Sequence, residues 1–424
     1  MINRKIAPKT KQIKNLNFIQ PQKVKIDNGA KLFILKSDST PIVKITVVFK
    51  AGIEFENIKL QSVFANSLIK EAPKGMSPDE TAEFFDFYGC HVESFTANDN
   101  AGFRLYVPQK FINEVLPVFA EILKNPLLPE KEFEISKNKY QETLKNNLTK
   151  TKYVAMRGLN TELFGNNHPR GYEIVPEDIH SLFLKDISDF VEQNYLISES
   201  MIQISGMVNE ETLELCKNIF NTEKGERTNS KKDLESIESK NEFRLFEMND
   251  SVQSSIYIGK NLDKLSEEEL IDIDILNTVL GGYFGSRLMK NIREDKGYTY
   301  GIGSFIAEYN DCAVLKITSD VGIDVTQMAI DEIFKEIKIL TEKPIHYQEL
   351  NLVRNYMLGE MLSSFDGVFQ TSSVWEKLII TNKSPKFISN QVNRIKNITS
   401  KELLSISNKF LLNKNFHTVV AGKI

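Results

Sequence analysis

Between Lys23 and Lys50 apolar and polar residues alternate with the two-residue period of a half-buried strand, most clearly at Val43, Ile45, Val47 and Phe49. Asn28-Gly29 interrupts the run with the chemistry of a tight hairpin turn, so two strands are predicted around it. From Asn57 to Glu71 the period lengthens to that of a helix, placing Leu60, Val63, Phe64 and Leu68 on one face. Ser77-Pro78-Asp79-Glu80 is a capping box with proline at the first helical position, and it opens a helix that ends at Gly89. Strands at 91–97 and 101–107 follow, then helices near 109–124 and 129–150.

The second half replays this order. A strand at 254–258 leads to a helix capped by Ser266 with Glu269 three residues on. After Gly281-Gly282 come a short helix from Ser286, strands near 299–306 and 313–318, and helices near 325–341 and 346–364. Gly89 and Gly297 each stand between a helix and a strand, 208 residues apart; Gly206 and Gly422 each end a strand, 216 apart. A near-constant offset points to duplication. Residues 223–241, dense in charge and almost free of large apolar side chains, read as a linker between domains at 1–222 and 242–424. The expected fold is α+β: two homologous domains, each an antiparallel-rich sheet with helices packed on one face.

Composition narrows the function. With 41% hydrophobic and 26% charged residues the 424-residue chain is an ordinary globular protein, and 53 Lys plus Arg against 57 acids provides no global field for nucleic acid or anionic lipid. The three cysteines, Cys90, Cys216 and Cys312, have no C-x-x-C spacing, which fits a reducing compartment. The N-terminal MINRKIAPKTKQIKNLNF carries no apolar core, and no stretch reaches the length of a membrane span, so a cytoplasmic protein is expected.

The five histidines, His91, His168, His180, His346 and His417, never fall within one helical turn of each other, so the helical zinc pairs H-E-x-x-H and H-x-x-E-H are absent. His346 and Glu349 form the near miss, with Leu350 where a second imidazole would be needed; it reads as a helix-start histidine beside an acid. Cys90 and His91, adjacent on a strand, point to opposite faces and cannot act as nucleophile and base. The segment from Gly281 to Ser304 is the informative one. Arg293 falls in the last turn of a short helix, Gly297 reverses the chain, and Tyr300 begins the next strand, an arrangement able to aim two hydrogen-bond donors at one oxygen. Spacing alone favours a plainer arrangement, with Arg293 paired to Glu294 or Asp295 and Tyr300 a strand aromatic.

That segment, through Ser286-Arg287-Leu288, Ile292-Arg293-Glu294, Gly297 and Tyr300, resembles the Arg/Tyr motif of the pitrilysin (insulinase) family of inverted-motif zinc peptidases. Asn28-Gly29, Ala51-Gly52, Asn167-His168-Pro169 and Asn355-Tyr356 through Gly359 extend the likeness over nearly the whole chain. The resemblance implies two α+β halves pairing into one lobe of a clamshell. Active members carry H-x-x-E-H on the helix after Ala-Gly, at positions that here hold Val63, Asn66 and Ser67, with Glu142 near the place of the distal acidic ligand.

The resemblance thus implies a non-catalytic, substrate-binding subunit with no cofactor of its own. Arg293 and Tyr300 would be supplied in trans to the active site of a homologous zinc-bearing partner, in a heterodimer or through self-association, to hold a peptide carbonyl and the oxyanion. On the same grounds Asn66 and Ser67 are expected on a helix face turned to the clamshell interior, and Arg293 and Tyr300 on one concave surface. The alternative is a proteolytically inactive structural or peptide-binding protein on the peptidase fold.

Overall fold

The computed structural model describes residues 18–222, 225, 227, 242–412 and 415–424. Apart from Gly225 and Arg227, the linker expected at 223–241 lies outside the described residues. The first half begins with β1 (Gln22–Lys25), β2 (Lys31–Lys36), β3 (Ile42–Phe49), α1 (Gln61–Ile69), α2 (Pro78–Phe87), β4 (His91–Thr96) and β5 (Ala101–Pro108). It continues through α3 (Ile112–Lys124), α4 (Glu130–Leu148), α5 (Thr151–Phe164), α6 (Pro176–His180), α7 (Leu184–Asn194), β6 (Met201–Gly206) and α8 (Glu210–Phe220).

The second half begins with β7 (Phe243–Glu247), β8 (Gln253–Asn261), α9 (Glu267–Leu280), a π-helix (Met289–Asp295), β9 (Thr299–Glu308) and β10 (Ala313–Gly322). Then come α10 (Thr326–Glu342), α11 (Tyr347–Ser364), α12 (Val368–Ile380), α13 (Phe387–Asn397), α14 (Ser400–Leu411) and β11 (His417–Gly422).

The two sheets have one topology. The first runs β1-β2-β6-β3-β5-β4 and the second β7-β11-β8-β10-β9, so β2, β6, β3, β5 and β4 correspond to β7, β11, β8, β10 and β9. The strand directions agree as well: β2·β6 and β7·β11 are parallel, and the remaining equivalent pairs are antiparallel. Gly89 and Gly297, at φ 63° and 69°, make the equivalent left-handed turns into β4 and β9. Both capping boxes form, with Ser77 and Ser266 each exchanging hydrogen bonds with the glutamate three residues on.

The Lys23–Lys50 segment folds as three strands rather than two. Asn28-Gly29 joins β1 to β2 as expected, but the polar run Ser37–Thr40 breaks the chain a second time, and β2 pairs with β6 while β3 enters the sheet interior. β3 is also buried on both faces. Val43, Ile45, Val47 and Phe49 join the first core with α1, α3 and α7, whereas Lys44 on the other face meets α12 of the second half.

This cover is reciprocal. Each sheet packs its own helices on one face, and a helix from the opposite half lies on the other. Ala155, Leu159 and Leu163 of α5 pack against Tyr257, Val314, Val419 and Ala421 of the second sheet. On the first sheet, Arg104 Nη2 donates to Glu376 Oε1 of α12 at 2.7 Å, and Lys44 Nζ lies 3.8 Å from Glu376 Oε2. A third tie links Arg170, in the loop after α5, to Glu54 and to Asp311 in the β9–β10 turn.

Candidate functional site

Arg293 and Tyr300 lie at one end of edge strand β9. The π-helix carrying Arg293 packs on β9 and α10. A π-turn is a local departure from α-helical bonding that recurs at functional sites. Lys296 N donates to Asn291 O and Tyr298 N to Ile292 O, closing the helix before Gly297 turns the chain into the strand.

Arg293 does not pair with Glu294 or Asp295. Among the described residues no carboxylate lies within ion-pairing distance of it, and its guanidinium carbon lies over the Phe284 ring, 4.6 Å from the centroid. Every other described arginine donates to an oxygen: Arg104, Arg157, Arg170, Arg227, Arg244, Arg287 and Arg394 to carboxylates, and Arg354 to Asn351 and the Ile398 carbonyl.

Tyr300 sits at a bulge. Thr299 opposes Val321 and Ile302 opposes Ser319, so Tyr300 and Gly301 together face Asp320. The extra residue is locked by Thr299, whose hydroxyl donates to the Asp320 carbonyl at 2.6 Å and accepts from Gly301 N at 3.0 Å, and by Ser319, which donates to the Gly301 carbonyl at 3.1 Å. A bulge turns a side chain out of the regular alternation. Tyr300 is 92% exposed, and its hydroxyl has no hydrogen-bond partner among the described residues.

Val63, Asn66 and Ser67 lie elsewhere, on α1 beside edge strand β4 of the first sheet. Since β4 is the counterpart of β9, the two sets occupy related edges of different halves. Asn66 and Ser67, expected on a helix face turned to the clamshell interior, differ in placement: Ser67 is half-buried, and Asn66 is instead enclosed within its own half. It is 3% exposed, its Nδ2 donates to the Phe95 carbonyl at 2.9 Å, and its Oδ1 accepts from the Tyr195 hydroxyl at 3.3 Å. Asn66 pins α1 to β4 and to the chain entering β6.

The donor set on α1 does not fit zinc. Val63 has no donor atom, the Asn66 amide is committed to Phe95 and Tyr195, and Ser67 carries only a hydroxyl. Glu142 is exposed on α4, and no group of three or more His, Cys, Asp or Glu among the described residues is arranged to hold a metal. At the head of α1, Glu56 accepts from Leu60 N, Ser62 N, the Ser62 hydroxyl and Tyr172. Burial raises its pKa against those hydrogen bonds. Burial likewise raises the thiols of Cys90 to about 11 and Cys216 to about 12, far from a nucleophilic state.

His346 caps α11, its Nδ1 accepting from Gln348 N, and Glu349 takes a two-pronged bond from Arg287 at 2.8 and 3.0 Å. Sequence reading missed this buttress, which ties the start of the Arg293 segment to α11 across 62 residues. It also missed Phe284; an aromatic residue in an otherwise glycine-rich turn was the available signal.

Residues 32–173 match the family described as insulinase (peptidase family M16), and residues 181–357 match that described as peptidase M16 inactive domain. The chain is 24% identical over 377 residues to an uncharacterized zinc protease, YmxG, of Bacillus subtilis, covering 87% of this chain and 91% of that one. It is 22% identical over 342 residues to the non-peptidase homolog YmxG of Helicobacter pylori, covering 78% of each. The crystal structure of a peptidase M16 inactive domain from Pseudomonas fluorescens superposes with a TM-score of 0.86 at 19% identity, covering 96% of this chain and 99% of that one.

Proposed function

We propose that this chain, which belongs to the M16 (insulinase/pitrilysin) family through both its N- and C-terminal domains, is the non-catalytic, substrate-binding subunit of a heteromeric zinc peptidase. One contrast carries the reading: Arg293 and Tyr300 keep their polar groups unspent at an exposed strand end, while Asn66, at the α1 position where the family motif carries its general-base glutamate, is locked as a buried structural amide. A guanidinium and a phenol in that state suit an acceptor that arrives from outside, such as a peptide carbonyl or the oxyanion of a tetrahedral intermediate. The partner in this reading is a homologous M16 chain that carries H-x-x-E-H and zinc. Arg293 would hold the substrate carbonyl, and Tyr300 would donate to the oxygen on which charge develops.

The test mixes this chain with a zinc-bearing M16 chain of the same organism and follows cleavage of fluorescein-labelled casein. The expected result is activity in the mixture that neither chain shows alone, reduced by Arg293→Ala or Tyr300→Phe without loss of the complex measured by size exclusion. A mixture as inactive as its components, or unaffected by both substitutions, would favour the second reading. That reading is a structural or peptide-binding protein without proteolysis, supported by the non-peptidase description of the Helicobacter relative.

A further inference from the structure

We infer that Phe284 is the positioning residue of Arg293, holding its guanidinium by the face so that every N–H donor stays available to a ligand; this deepens the substrate-binding reading and rests on it. An ion pair would fix an arginine by consuming donors at its edge. A ring beneath the plane fixes the same group and leaves its edge free, because guanidinium N–H bonds lie in the plane.

The surroundings are built for this. Gly281 N and Gly282 N both donate to the Asn277 carbonyl at 2.9 Å, and Ser286 N donates to the Tyr283 carbonyl at 3.1 Å, so the turn is closed by its own backbone. Tyr283 stacks on Tyr356 of α11 with centroids 4.7 Å apart, anchoring the turn to that helix. The next residue, Phe284, belongs to no core cluster, is largely exposed, and has its ring under Arg293. A large apolar side chain at that place contributes little burial. Its contact is the guanidinium, and that guanidinium is the one among the described arginines without an oxygen partner.

Two measurements test this on the full chain. In arginine-labelled protein, the Nε–H signal of Arg293, assigned by its loss in Arg293→Lys, is expected to carry a ring-current shift. Phe284→Leu should abolish that shift, Phe284→Tyr should keep it, and the other arginine signals should report an intact fold. In the mixed peptidase assay, Phe284→Leu should raise KM for casein by about 2- to 5-fold with kcat nearly unchanged, the size of an exposed cation–π contact, and Phe284→Tyr should restore it. An Arg293 signal unmoved by Phe284→Leu, or a KM that stays put although the signal moves, would overturn the positioning role. A mixture with no peptidase activity would sink the functional reading alone, and the signal would still decide whether Phe284 holds Arg293.

Discussion

Arg170 donates through Nη2 to Asp311 at 2.5 Å and through Nε to Glu54 at 2.6 Å, so one guanidinium from the loop after α5 ties the short turn between β3 and α1 to the β9–β10 turn of the other half. The ring of Tyr309 lies 4.3 Å from it, completing a clasp of charge and stacking. Arg170→Met removes the guanidinium from Glu54, which is only 2% exposed. Breaking a buried ion pair from one side costs about 3–5 kcal/mol. Urea unfolding should show that loss, together with a broadened transition as the halves come apart at different concentrations.

Asn66 shows why the α1 position is structural. Asn66→Asp keeps the shape and the acceptor for Tyr195 but cannot donate to the Phe95 carbonyl, and it places a charge in a buried site. A loss of about 1–3 kcal/mol at neutral pH is expected, the cost of an unsatisfied buried group. The loss should shrink below the pKa of the new carboxyl, where the protonated acid can donate; a pH series of denaturation curves checks both points.

Tyr300→Phe removes one donor and no packing, because the side chain is exposed. If the phenol stabilises an oxyanion in the mixed peptidase, kcat should fall about 10²- to 10³-fold with KM little changed. Thermal stability of the isolated chain should be unaltered.

Lys316 is buried against α5 with the Asn160 amide oxygen at 2.8 Å as its hydrogen-bond acceptor, and burial lowers its pKa to about 8. Below that value the lysine is charged in both folded and unfolded chains, and the folded state bears the full desolvation cost. Between pH 8 and the unfolded value of 10.5 the unfolded chain binds the extra proton, so the cost fades as pH rises. Lys316→Met should therefore stabilise the protein by on the order of 2 kcal/mol at pH 7, and the gain should diminish towards pH 10. Melting temperatures of both proteins across that range measure it.

The duplication makes a paired prediction. A Cβ at Gly89 or Gly297 would meet no atom within 4 Å, so alanine there costs only the left-handed backbone, about 1 kcal/mol in each half. At Gly102 the same change drives Cβ into the Val47 carbonyl oxygen and the Phe95 ring, and should cost clearly more. Denaturation midpoints of the three variants separate backbone strain from collision.

Local chemistry was legible in the sequence by itself. The Ser77 and Ser266 caps, the Asn28-Gly29 hairpin, the Gly89 and Gly297 turns and the alternation along β3 depend on neighbours a few residues away, and the α+β class and the duplicated element order follow from them. The motif that places Arg293 on a short helix and Tyr300 at a strand start is equally local. What the tertiary structure decided are contacts between distant residues. The reciprocal cover of each sheet by the other half's helix turned Lys44, in an alternating strand, into a buried charge held by Ser372, Ser373 and Glu376 more than 300 residues away. Asn66 became a structural amide because Phe95 and Tyr195 converge on it from two other elements, which no period along α1 records. The acids beside Arg293 in the chain were the natural partners by spacing, yet the π-turn and the Gly281–Gly285 loop put a phenyl ring under the guanidinium instead. Spacing fixes which side chains are near along a helix or strand; the packing of elements fixes which partner each polar group meets.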